Sequence, residues 1–329
     1  MIGALWKYIW EHKWLYLSIA VVLVIYDYTI LIPTQVIQRL VDQLSKQTLT
    51  QSSFTRDIAL LLGATFLNYI SAYYWHLKLF QASVHYKARL QGQAFRKLVA
   101  MRRPFYEKFR SGDLLTRFTT DVDGMMGMVG YGMLIVLYGG GLFLFIIPAM
   151  FLISWQLSLI SFIPMSFLVL STYLLGKKEE IYVDENRDAV AHLNDEVLES
   201  IEGIRVMRAY SRKERQVRQF QERTESLAKT GDKIASIQNA FGPFALFFIG
   251  VSTVLLLVCG GHFLKTGQIS LGQLLGLELY LVALIEPMWM LADFILVYQT
   301  AKTSHKKLSE LVEMGDDVLQ VAHPVVAGL

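Results

Sequence analysis

The sequence predicts an all-α membrane protein with six transmembrane helices, and three observations carry that prediction. First, 53% of the 329 residues are hydrophobic and only 18% are charged, against roughly 45–50% and 25% in soluble domains. Second, the charges are missing from whole stretches: no Asp, Glu, Lys or Arg occurs in the 53 residues from Gly124 through Gly176, or in the 31 from Ile234 through Leu264. Third, these stretches are continuously apolar and far longer than the roughly 9–11 residues of a membrane-barrel strand, whereas about 20 such residues let a helix cross a hydrocarbon core of roughly 30 Å.

Taken in order, the charge-poor stretches place spans at about 14–38 (interrupted by Asp27), 58–77, 128–153, 157–176, 234–264 and 274–299. The third and fourth are separated only by Ser154, Trp155 and Gln156, a tight turn with a tryptophan at interfacial depth. Of the 31 Lys and Arg residues, 27 fall before the first span, between Lys78 and Asp123, between Lys177 and Lys233, or from Lys302 onward. Basic residues flanking spans stay in the cytoplasm, so the expected arrangement is a multi-pass protein of the cell membrane with both termini inside. The first span lacks a small-residue cleavage site and reads as an uncleaved anchor. A single cysteine, Cys259, excludes a disulfide framework and a cysteine-based zinc site. The seven histidines show no metal-ligand spacing, and no interleaved basic–aromatic pattern suggests nucleic acid.

The two inner segments, of 46 and 57 residues, exceed ordinary helix connections of about 2–8 residues. Apolar positions at Leu193, Val197, Ile201 and Ile204 recur every three or four residues, so the membrane helices are expected to continue inward as amphipathic extensions. Running the second span on from Lys78 to about Met101 lengthens it by roughly 36 Å. Pro104 then ends the helix, and Ser111, Gly112 and Asp113 offer a turn and an N-cap before Leu114. The expected geometry is a pair of long helical hairpins with a short transverse piece at each tip, suited to docking a cytoplasmic partner.

Three strings, RSGDLLTRFTTDVD (Arg110 to Asp123), ISWQLSLISFIP (Ile153 to Pro164) and LNDEVLESIEGIRVMRAYSRKE (Leu193 to Glu214), occur in register with these spans. In them the chain resembles the type-1 transmembrane domain of ATP-binding cassette exporters, most nearly that of bacterial multidrug half-transporters, several of which are heterodimers. The resemblance implies a second half-transporter as partner, together with nucleotide-binding domains that hold ATP and Mg outside this chain. It implies coupling helices around Gly112, Asp113, Leu114 and Arg117, and around Glu202, Gly203, Ile204, Arg205 and Tyr210. It further implies a transmembrane domain over residues 1–300 and a linker over 301–329 towards a nucleotide-binding domain.

A phosphate-cradling loop of the form G-x-x-x-x-G-K-[ST] is absent. The nearest string, Gly260 to Thr266, lacks a glycine directly before Lys265, so no catalytic residue and no cofactor are assigned to this chain. The complete transporter it resembles part of would be an ATP-hydrolysing translocase. Whether that ATPase continues the same polypeptide or is a separate subunit stays open at this point.

Four acids interrupt the spans: Asp27 in the first, and Glu278, Glu286 and Asp293 in the sixth. A central acid costs roughly 2.5–3.5 kcal/mol to insert, so such residues face a cavity, a partner or water. Helical spacing puts the three acids of the sixth span on one face with Trp289 beside them. Carboxylates with an aromatic wall suit a hydrophobic, often cationic, drug-like substrate. Two alternatives remain at this stage. One is a lipid or peptide exporter on the same fold. The other is an ion-coupled secondary transporter that uses Asp27, Glu286 and Asp293 as proton sites.

Overall fold

A computed structural model describes residues 1–101, 105–106, 109, 111–203, 205 and 213–312. Its helices are α1 (Ile2–Glu11), α2 (Lys13–Ser45), α3 (Gln51–Ala100), α4 (Ser111–Ile153), α5 (Trp155–Glu202), α6 (Lys213–Lys265), α7 (Leu271–Ala283) and α8 (Ile285–Val312). Six helical stretches are long and apolar enough to cross a membrane, with α7 and α8 together forming the sixth. Among the described residues there is no strand. The chain forms two compact units, one of residues 1–153 with 270–329 and one of residues 154–269.

The second unit is an antiparallel pair, α5 and α6. The Ser154 hydroxyl caps α5 by accepting from the Leu157 amide, so the turn expected over three residues is reduced to Ser154, and Trp155 is already helical. The pairing holds one register along most of its length. Ser252 donates to the Ser161 carbonyl, Gln238 to Glu179, Asn186 to Thr230, and Gln216 to both Glu196 and Ser200. Because partners sum to nearly the same number throughout, the two helices extend past their apolar portions without slipping. Gly203 ends α5, its amide donating to the Glu199 carbonyl.

In the first unit α3 runs unbroken to Ala100, as the predicted extension requires. The end of α2 is latched to the start of α7 by polar groups. The Asp42 carboxylate accepts from the Ser270 hydroxyl and the Gly272 amide, each at 2.7 Å, placing negative charge on the exposed amides that begin α7. Gly272 and Gly276 let α2 lie directly against α7, because a side chain at either would overlap Gln38. Asp57 is fully buried and within 3.7 Å of both Arg39 and Arg56.

Helix α1 was not foreseen. It presents Trp6 and Trp10 on an exposed face, a pairing of aromatic rings that suits a membrane–water boundary. Its other side is held to α3 by Tyr8, which donates to the Ala82 carbonyl at 3.0 Å, and by an ion pair between Glu11 and Arg89. Hydrogen bonding from Arg89 keeps the Glu11 carboxyl below its usual pKa.

Within the first unit a long seam joins α4 to the antiparallel α8. At the end where α4 begins, Arg117 is buried. It pairs with Asp113 at 3.0 Å and Glu310 at 3.4 Å, donates to the Lys307 carbonyl, and lies 4.7 Å over the Phe109 ring. One turn on, buried Asp121 receives the Ser304 hydroxyl at 3.3 Å and faces Lys307 at 3.6 Å. Further along, Tyr131 donates to Asp293 at 2.7 Å. Along the same seam, Gly124, Gly132 and Gly139 bring the backbone of α4 against Ser304, Val297 and Met290, the close approach that small residues permit. Three π-helical turns, Arg117–Asp121, Met128–Gly132 and Ile135–Gly139, interrupt α4, and such turns gather at functional positions. Arg117, Asp121 and Tyr131 all lie within them. Helix α4 begins at Ser111, so Gly112 and Asp113 sit in its first turn rather than in a turn before it.

Two outcomes follow from this packing. Arg117→Ala removes charge-assisted hydrogen bonds to groups that are themselves half-exposed, and should cost about 1–3 kcal/mol, with Arg117→Lys recovering only part because an ammonium cannot fork. Thermal unfolding in detergent measures this, and an unchanged midpoint for Arg117→Ala contradicts it. A methyl group at Gly141 would overlap the Asp27 carboxylate. Gly141→Ala should therefore destabilise by about 1–3 kcal/mol, and Asp27→Ala should relieve most of that loss in the double variant. Additive losses contradict the contact.

Candidate functional site

The sixth span is not one helix. Helix α7 stops at Ala283 and α8 starts at Ile285, with the Leu284 amide bonded back to Tyr280 and Leu281. The cause is Pro287, which has no N–H for the Ala283 carbonyl four residues earlier. Glu286 consequently occupies the first turn of a new helix, where the amide dipoles favour a carboxylate. Broken membrane helices of this kind belong where the freed backbone lines a cavity.

A groove of about 490 Å³ opens at this break, lined among others by Tyr138, Leu142, Val282, Glu286, Trp289 and Asp293. Its volume lies within the roughly 300–1,000 Å³ of small-molecule sites. The lining is apolar apart from the two carboxylates and the tyrosine. Trp289 leaves 54% of its surface open. Tyr138 lines the groove together with Glu286, and its ring meets those of Tyr26 at 5.6 Å and Trp75 at 6.0 Å. Trp75 is fully buried, so the groove wall is backed by a packed aromatic layer.

The residues expected to line a substrate pathway separate into three groups. Glu286, Trp289 and Asp293 come together in the groove. Asp27 does not line it: the side chain is 1% exposed, turned against Gly141, and neither carboxyl oxygen has a hydrogen-bond partner among the described residues. Glu278 is partly buried in α7, apart from the groove lining. The expected common face for all three acids of the sixth span fails at Leu284, where the helix break interrupts the 100° periodicity.

Of the inner-loop positions, Leu114 is buried beneath Phe105, Phe109 and Met101, and Arg117 is turned inward to α8. Gly112 and Asp113 are exposed at the start of α4, as are Glu202 at the end of α5 and Arg205. Gly203 is half-buried as the cap of α5. Ile204, Tyr210 and the linker beyond Val312 lie outside the described residues.

Tyr131 and Tyr138 escaped the sequence reading. Their signal was present: they are seven residues apart, as are Glu286 and Asp293, and on antiparallel helices equal spacing lets Tyr131 reach Asp293 while Tyr138 lines the groove with Glu286. Among the described residues no group of three or more His, Cys, Asp or Glu side chains could hold a metal ion.

Comparison with known proteins agrees with this architecture. Residues 16–288 match the family model described as the ABC transporter transmembrane region. Over 328 residues the chain is 30% identical to a Bacillus subtilis protein named "Probable multidrug resistance ABC transporter ATP-binding/permease protein YheI", covering 98% of this chain and 56% of that one. Escherichia coli "Multidrug resistance-like ATP-binding protein MdlA" is 28% identical over 316 residues, 95% of this chain and 53% of its own. The mouse "ABC-type oligopeptide transporter ABCB9" is 27% identical over 192 residues, 58% of this chain and 25% of its own. The chain thus spans about half the length of the first two of these relatives. Six apolar helices, their order and the matched family model have one consequence: the chain is a multi-pass membrane protein that belongs to the family of ABC transporter transmembrane regions.

Proposed function

We propose that this chain is the substrate-conducting half of an ATP-driven exporter and that it moves hydrophobic, often cationic, drug-like molecules by alternating access. The observation that carries the reading is the groove at the α7–α8 break, where two carboxylates and an exposed tryptophan stand within apolar spans. An acid there is costly unless something neutralises it, and an amphipathic cation does so while its apolar body replaces water on the groove wall. The names of the Bacillus and Escherichia relatives, both multidrug proteins, favour the same cargo. The relative named as an oligopeptide transporter keeps a peptide as the second reading.

In this proposal a second half-transporter completes the pathway. ATP and Mg bind on nucleotide-binding domains at the cytoplasmic side, where both termini and the basic inner segments lie by the distribution of Lys and Arg. Alternation is a two-state equilibrium that ATP binding biases. The bias enters at the exposed tips near Gly112 and Asp113 and near Glu202 and Arg205. From the first tip it reaches the groove along the α4–α8 seam, which runs about 33 Å from Arg117 to Gly139. ATP hydrolysis belongs to the complete transporter, and the residues of this chain bind cargo and transmit motion.

The test is uptake of a cationic dye by proteoliposomes carrying the complete transporter, with and without ATP and at zero proton gradient. Uptake that requires ATP hydrolysis is expected. Uptake driven only by an imposed proton gradient contradicts the proposal and makes the intramembrane acids the coupling groups. For the transmission step, Asp113→Ala or Glu202→Ala should lower dye-stimulated ATPase activity by about tenfold while dye binding holds. Retention of full stimulation in both variants contradicts the assignment of those tips.

A further inference from the structure

Glu286 and Asp293 are seven residues apart on α8, so their backbones stand about 10 Å apart along the axis and face nearly the same way. Both line the groove, and Trp289 lies between them with half its surface open. Asp293 is tied to α4 by the Tyr131 hydroxyl at 2.7 Å, and Glu286 lines the groove with Tyr138 of α4. That axial spacing, with Asp293 held by Tyr131, keeps the two acids from converging on a single charge. Among the described residues neither acid has a Lys, Arg or His ion-pair partner.

A small cation that reaches this groove neutralises one carboxylate and leaves the other exposed to an apolar wall. A molecule with two cationic ends neutralises both, and its second contact forms at a high effective concentration once the first is made, provided that its span matches the site. Resting on the reading of the groove as the substrate path, we infer that the preferred cargo is an amphipathic bis-cation. Its positive centres lie about 10 Å apart, and its apolar or aromatic bridge lies over Trp289. The two-point geometry also sets an orientation: the molecule lies along α8, one end at the helix break and the other two turns further on.

The experiment measures ATPase stimulation of the complete transporter in lipid nanodiscs by bis-quaternary ammonium alkanes, with bridges graded from about three to about twelve carbons, beside a mono-quaternary compound of matched hydrophobicity. The half-maximal concentration is expected to pass through a minimum at the bridge that spans about 10 Å, at least about tenfold below that of the mono-cation. In Glu286→Gln and in Asp293→Asn the minimum should disappear. Stimulation that follows bridge hydrophobicity alone overturns the inference and leaves the proposed export of single cations standing. A minimum that survives both substitutions also overturns it, because two-point recognition then lies elsewhere. Failure of every cation, mono or bis, to stimulate overturns the proposed function itself.

Discussion

The antiparallel seam between α4 and α8 is the constraint on which the rest of the first unit depends. At its inner end a buried arginine has two carboxylates, a carbonyl and an aromatic ring as partners. Towards its other end Tyr131 donates to Asp293 and Tyr138 lines the groove with Glu286. Glycines at 124, 132 and 139 let the helices approach between these points. A buried guanidinium is not free to give up its partners, since an unpaired charge in an apolar surrounding costs several kcal/mol. The seam therefore ties the beginning of α4, at the inner loop, to the wall of the groove as one body.

That linkage gives the intramembrane acids a physical place. Glu286 and Asp293 each carry an insertion cost, and the fold offsets it locally: the Pro287 break sets Glu286 in the first turn of a fresh helix, and the Tyr131 hydroxyl donates to Asp293. The offset is partial, because a hydroxyl shares a proton and does not cancel a charge. What remains is an attraction for positive charge within an apolar groove, a balance that favours binding over simple structural pairing. Asp27 contrasts with them. It is sealed against Gly141 with no partner among the described residues and has no access to the groove, so similar acids in neighbouring spans have different environments and different work.

Much of this architecture was legible in the sequence because a membrane narrows the choices. Long charge-free runs permit only helices, and the six spans emerge from composition alone. The continuation of α3 to Ala100 was readable from the length of the inner segment and the proline that follows. The break at Leu284 was not read, although Pro287 was visible, because proline inside a membrane helix is compatible with both a kink and a stop. Pro33 and Pro148 lie inside helices that continue, and what separates Pro287 from them is tertiary packing. The inward turn of Arg117 was hidden for a related reason: its partners Lys307 and Glu310 are nearly two hundred residues away, and local pattern carries no information about such a pairing. Helix α1 was missed because ten residues with two charges among apolar neighbours resemble a flanking segment as much as an interfacial helix.

The central claim is that the inner end of α4 and the groove wall on α8 move together while the transporter cycles. A Cβ at Gly124 would lie 3.2 Å from that of Ser304, near the roughly 3.5–4.5 Å of a disulfide. In a Cys259→Ala background, Gly124→Cys with Ser304→Cys can therefore be oxidised to lock the seam. ATP-dependent dye uptake measured before and after oxidation decides the matter. The account predicts that the locked transporter keeps its uptake, because nothing at the seam has to slide. Uptake that disappears on oxidation and returns with reductant would mean that α4 and α8 separate during the cycle, and the account would be wrong.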